Sequence, residues 1–167
     1  MSVPPPGLTS RDLQLRQWLL DQAEEHGAAV VQVAGENAEP PYAFTVGAWR
    51  RFGLAEGVAV GLPEEISQVL LLAYVNRARH GERFQPGSMH EGFFEGLPVA
   101  FEKVDAGWYP EYLGSAFLCY PTGHFPALQL IVPTPEGFWP WTEDAPAGFA
   151  QWQPILTASG ELESFVE

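Results

Sequence analysis

The chain has 167 residues, 46% of them hydrophobic and only 17% charged, which suits one domain with a sizeable core and leaves little room for a second. Twenty-one acids against eight bases give a formal charge of −13, which argues against sequence-independent nucleic-acid binding, since that needs a large basic face. The single cysteine, Cys119, excludes a disulfide framework and a multi-cysteine zinc site.

The first residues, MSVPPPG, lack the basic and apolar regions of a signal peptide. The longest apolar run, residues 69–75, is far short of the ~20 residues that cross a bilayer. No lipidation motif is seen at the C-terminus. The expectation is a cytoplasmic protein with no membrane partner, in which residues 1–8 are a disordered tail and 9–167 one globular domain.

In chain order, Thr9-Ser10-Arg11-Asp12 predicts a capped helix start, with Leu15, Trp18, Leu19 and Ala23 at helical spacing and Gly27 as the stop. Residues 28–34 (AAVVQVA) and 42–48 (YAFTVGA) read as strands, and the polar turn between them predicts an antiparallel hairpin. A third strand, 57–62 (GVAVGL), runs into a helix over 64–80. Pro63 suits its first turn, Glu64 and Glu65 meet the positive end of its dipole, and Arg77 and Arg79 meet the negative end. Ile66, Val69, Leu70 and Ala73 form its expected core stripe. Residues 97–104 and 126–132 read as strands, 110–120 as a short helix, and 151–156 as a packed segment. The whole predicts an α+β fold with about three helices and a mainly antiparallel sheet, open or partly closed into a barrel.

Several blocks together resemble a known family. PPYAFTVG (40–47), GLPEE (61–65), HGERFQPG (80–87), FPALQLIVP (125–133) and EGFWPW (136–141) are similar in kind and order to the bacterial domain-of-unknown-function family DUF4262, over residues 13–156. The resemblance implies a bacterial protein with the family's fold and implies no activity. The first half is also similar in pattern to flavin-reductase-like split barrels, in which the turn after the second strand helps to hold the flavin phosphate. That similarity implies flavin as an alternative ligand, where the residues themselves point to no cofactor.

Seven of the eight bases are arginine, and Arg50, Arg51, Arg77, Arg79 and Arg83 cluster in residues 50–83. Guanidinium suits bidentate capture of carboxylate or phosphate. If strands two and three are antiparallel neighbours, the loop carrying Arg50 and Arg51 meets the C-terminal end of the second helix. Thr45, Arg50, Arg51, Arg77, His80 and Arg83 are therefore candidate anion ligands, with Glu56 and Glu82 as compensating acids. The alternative is that Arg77 and Arg79 serve the helix end while the others pair with surface acids.

Four scattered histidines lack metal-binding spacing, and no HExxH, GxSxG, GxGxxG or Walker pattern occurs. His80 and His90 flank one loop and are the only candidate acid–base pair. Cys119, among aromatics, reads as a core residue. No catalytic residue and no metal ligand is assigned. Trp108, Phe138 and Trp139 are candidate partner-binding residues in an aromatic region that also holds Trp141 and Trp152. Trp141 reads as closing a core and Trp139 as exposed. The last 67 residues carry nine acids and one base, Lys103. The leading expectation is thus a non-enzymatic acidic interaction module for a basic protein partner, with an immunity-like role in view. The alternative is a binding domain for flavin or another phosphorylated or anionic ligand.

Overall fold

Thr9 caps the first helix, α1 (Ser10–His26), through a capping box. Its hydroxyl accepts from the Asp12 N–H at 3.1 Å, and the Asp12 carboxylate accepts from the Thr9 N–H at 3.1 Å. The computed structural model describes residues 7–165, so residues 1–6 of the expected tail lie outside the described residues. Leu19 and Ala23 of α1 are buried, whereas Leu15 and Trp18 face solvent.

The strands are β1 (Ala29–Val33), β2 (Tyr42–Val46), β3 (Glu56–Val60), β4 (Ser88–Phe94), β5 (Leu97–Lys103) and β6 (Ala127–Ile131). They form one open sheet in the order β1-β2-β3-β6-β5-β4, with β1 and β4 as its edges rather than a closing barrel. All neighbours are antiparallel except β3 and β6, where Gly57 lies opposite Leu128. The expected hairpin β1–β2 is present, with Ala29 opposite Val46.

The second long helix, α3 (Glu64–Arg79), covers one face of the sheet, but its rotation differs from the predicted one. Of the expected stripe only Leu70 is buried; Ile66 and Val69 are 40% and 65% exposed and Ala73 is half-buried. The buried face is Ser67, Leu70, Leu71, Tyr74, Val75 and Ala78. Both stripes satisfy the 3.6-residue period and share Leu70, so periodicity alone does not choose between them. Packing does. Tyr74 donates its hydroxyl to the Ala55 carbonyl at 2.7 Å and sets its ring against Phe84 and Phe101, and Ser67 bonds to the Gln32 side chain. A larger area is removed from water this way than Ala73 could remove.

The other face packs on Leu19 of α1 and on residues 104–125, through Phe44, Val58, Val60, Tyr109, Leu113 and Phe125. Here the predicted helix of 110–120 is broken in two. Helix α4 (Tyr109–Tyr112) ends at Leu113, and a 3-10 turn follows over Gly114–Leu118. Three elements are additional to the predicted ones, a 3-10 turn over Ala106–Trp108, a strand and a short helix. Strand β4 is an edge strand of alternating exposure with an irregular register between His90 and Phe94, so it carries no continuous apolar run. Helix α2 (Ala48–Phe52) is a single turn between Gly47 and Gly53, both left-handed. The packed segment at 151–156 includes the end of a short helix, α5 (Phe149–Trp152), and then Gln153, Ile155 and Leu156, all buried.

Candidate functional site

The turn after β2 is an anion-binding nest, and the chain fills it with its own carboxylate. Glu56, at the start of β3 and fully buried, accepts from the backbone N–H groups of Gly47 (2.9 Å), Ala48 (3.2 Å) and Trp49 (3.1 Å) and from the hydroxyls of Thr45 (2.7 Å) and Tyr120 (2.6 Å). Burial pushes the Glu56 carboxyl above the ordinary glutamate range, against the pull of these donors. Thr45 is also fully buried, and it accepts the Gly57 N–H at 2.9 Å. As an anion ligand Thr45 is therefore corrected: its hydroxyl serves Glu56, not a surface site. Glu56 likewise neutralises backbone donors and not the arginines.

The arginines converge only in part. Arg51 and Arg79 lie over the Phe52 ring, at 5.6 and 4.7 Å from its centroid. Arg50 gives its backbone N–H to the Tyr120 hydroxyl, and its charge acts on the neighbouring Cys119 thiol. Burial raises the Cys119 thiol above its ordinary pKa, in keeping with a packing role.

Arg77 turns away from this group. It pairs bidentately with Glu82, from Nε at 2.8 Å and from Nη2, and stacks over Phe93 at 4.1 Å. This pairing holds the Glu82 carboxyl below the ordinary range. Arg77 is thus committed internally and is not a free anion ligand. His80 bonds the Asn76 carbonyl at the end of α3, while His90 sits 3.5 Å from Glu82. The two histidines have different neighbours. Arg83, by contrast, lines a pocket of about 480 Å³ between the end of α2 and the loop after α3.

A larger groove, about 590 Å³, opens in the aromatic C-terminal third. Trp108, Pro140, Trp141, Ile155, Glu161 and Leu162 line it. Trp108 is fixed by its indole N–H, which donates to the Thr157 carbonyl at 2.8 Å. Trp141 stacks on Trp139 with ring centroids 5.0 Å apart and planes 9° from parallel. The exposures predicted for this pair are reversed: Trp139 is half-buried against the cluster of Ala100, Ile131 and Ile155, and Trp141 is 38% exposed. Phe138 is half-buried in the turn that Thr134 closes, with its N–H on the Thr134 hydroxyl at 3.0 Å.

One wall of the groove is the strap of residues 153–164, and buried polar side chains fasten it. Gln129 of β6 accepts the Leu156 N–H at 2.8 Å and donates to the Pro154 carbonyl at 2.7 Å. Gln153 grips Val132 through both backbone groups, at 2.9 and 2.7 Å. Glu102 of β5 accepts the N–H groups of Glu163 and Ser164 at 2.9 and 3.0 Å, and the Ser164 hydroxyl. Each of these three side chains is almost completely buried, so its hydrogen bonds are costly to lose.

The family model described as "Domain of unknown function (DUF4262)" matches residues 22–146, three quarters of the chain. This chain belongs to the DUF4262 family. No curated protein and no solved structure matches it. The matched span is narrower than the resemblance in the sequence and contains the whole sheet of this DUF4262 domain, the Glu56 nest and the Arg83 pocket. It includes Trp108, Pro140 and Trp141 of the groove, while Ala150 and the strap lie beyond it.

The sequence does not single out Glu102, Gln129 and Gln153, and Glu56 reads there as a partner of the arginines, because a buried polar residue is indistinguishable from a solvent-facing one until its partners are known. One signal was available: Gln129 stands inside the apolar run 126–132 that reads as a strand, and Glu56 directly precedes the run 57–62. No helix among the described residues of the DUF4262 domain is long and apolar enough to cross a membrane.

Gly61 is packed against the end of α5. It has φ +79°, and a Cβ there would lie 2.4 Å from the Trp152 carbonyl oxygen, while the Trp152 indole donates to the Gly61 carbonyl at 3.0 Å. Gly61→Ala is expected to cost about 1–3 kcal/mol, from left-handed strain and displacement of α5. A denaturant melt that leaves the midpoint unchanged would show that α5 gives way freely.

Proposed function

We propose that this domain is an interaction module whose C-terminal groove takes a short segment of a basic protein partner. The observation that carries the reading is the groove itself. Two tryptophans, two prolines and three aliphatic side chains form an apolar trough, and the one ionisable side chain lining it is acidic, Glu161. Glu143, Asp144 and Glu163 stand close to it along the chain, on a protein of charge −13.

Rigid indoles give large contact area at low entropic cost, and Trp is enriched among residues that dominate binding energy. The acidic surround favours association with a positively charged partner and disfavours acidic ones. An apolar anchor flanked by Lys or Arg is the complementary chemistry. A small cationic toxin is one class of protein that offers it, which keeps an immunity-like role in view.

The test is selection from a displayed random-peptide library, followed by titration of the enriched peptides against wild type and Trp141→Ala. Enriched sequences are expected to combine an aromatic or aliphatic anchor with basic flanks, and to bind more weakly as salt rises. Loss of a central Trp costs about 2 kcal/mol or more, so Trp141→Ala should weaken binding roughly 30-fold. Trp141 is part-exposed and its removal should leave the melt largely unchanged. Selection of acidic peptides, or equal binding by the variant, would overturn the reading.

A further inference from the structure

The pocket beside Arg83 is built differently from the groove and lies in another part of the fold. Its walls are the end of α2 and the chain after it (Gly53, Leu54, Ala55) and the loop after α3, which includes Glu82, Arg83 and Phe84. Tyr74 and Ala78 of α3 form its floor. Two contacts fix the shape. The Tyr74 hydroxyl holds the Ala55 carbonyl at 2.7 Å, and the Phe84 ring packs edge-on against Tyr74 with centroids 5.3 Å apart. The lining is therefore largely apolar and aromatic.

The charges around the pocket do not cancel. Glu82 lines it, but its carboxylate is taken by Arg77, with His90 at 3.5 Å. Arg83 forms no ion pair and no side-chain hydrogen bond among the described residues. Arg51 and Arg79, nearby on Phe52, pair with no carboxylate among those residues either. On a chain of charge −13, an unpaired guanidinium lining a pocket runs against the overall field.

We infer that this pocket binds a small flat molecule carrying one anionic group, with the flat body against Leu54 and Phe84 and the anion on the Arg83 guanidinium. A volume of about 480 Å³ falls within the range of small-molecule sites. The planar guanidinium matches the two oxygens of a carboxylate or of a phosphate ester. The common chemistry is an aryl anion, which a carboxylic acid or a phosphomonoester would supply. The inference is independent of the groove and of any protein partner.

The experiment is calorimetric titration of the full chain with benzoate, phenyl phosphate and uncharged benzyl alcohol at low salt, on wild type, Arg83→Gln and Arg83→Lys. At least one of the two anions is expected to bind saturably at one site per chain, and benzyl alcohol to bind far more weakly. Which anion binds assigns the carboxylate or the phosphate class. Arg83→Gln should weaken binding at least tenfold, while Arg83→Lys should recover part of it by keeping the charge without the fork. Arg83 is exposed, so unchanged melts will separate loss of binding from loss of fold. Absence of saturable binding by both anions, or equal affinity in Arg83→Gln, would overturn the inference.

Discussion

Glu56→Ala is expected to cost most of the stability of the fold. It strips the acceptor from three backbone N–H groups and two hydroxyls at the junction of β2, α2 and β3. An unsatisfied buried donor costs about 1–3 kcal/mol, so the three N–H groups alone amount to several kcal/mol against a typical domain stability of about 5–15. Glu56→Gln should fall between this variant and wild type, because its amide keeps one acceptor oxygen but turns N–H bonds toward groups that also donate.

The carboxyl also makes a signed pH prediction. Its folded pKa lies above the ordinary glutamate value through burial. The stability linked to that shift is therefore complete below the ordinary value and is lost as pH rises through the folded one. Glu56→Gln has no proton to lose and should lack this part of the slope. Denaturant melts across that pH range measure both effects; an alanine variant with an unchanged midpoint would contradict the buried nest.

The second large effect is at Leu70, where replacement by alanine should cost about 2–5 kcal/mol, the usual range for a buried Leu-to-Ala change. Its neighbour Val69 is 65% exposed, and Val69→Ala should stay within about 0.5 kcal/mol. The pair is a direct measure of the rotation of α3. Equal costs at the two positions would mean that the helix presents another face to the sheet.

These two sites mark how much the sequence discloses. The extent of α3 was legible because its dipole charges, Pro63 and its apolar period agree on one element. Its rotation was not, since Ile66 and Val69 fit the same period as Leu71 and Tyr74, and only the ring of Tyr74 meeting Phe84 and Phe101 decides. The meander β1–β3 was legible from β-branched runs and turn residues. Strand β4 was not, because a half-exposed edge strand containing His90 and Gly92 looks like a loop.

In the site, the antiparallel pairing of β2 and β3 sets the chain after α2 beside the loop after α3, as that topology implies. The clustering of arginines could not show that Arg77 would be consumed by Glu82, nor that Thr45 would turn inward to Glu56. The density of aromatic residues in the last third was visible in the sequence, but the groove depends on a strap held by Gln129, Gln153 and Glu102, and those partners are far apart in sequence.

The parallel pairing of β3 with β6 has a consequence for how the chain assembles. Strands β1–β3 and the hairpin β4–β5 are each local, yet they share no ladder; β6 alone joins them, with Gly57 opposite Leu128 on one side and Leu130 opposite Phe101 on the other. During synthesis both halves emerge before residues 127–131 exist, each with an unpaired inner edge. Closing the intervening 61–126 segment brings an entropic cost that no local turn lowers, since loop closure grows only slowly with length but must precede its contacts. The strand made last of the six is thus the one on which continuity of the sheet depends, and until it docks the two sets of strands are bridged only through side chains such as Tyr74 on Phe101, with backbone donors and acceptors exposed on their inner edges.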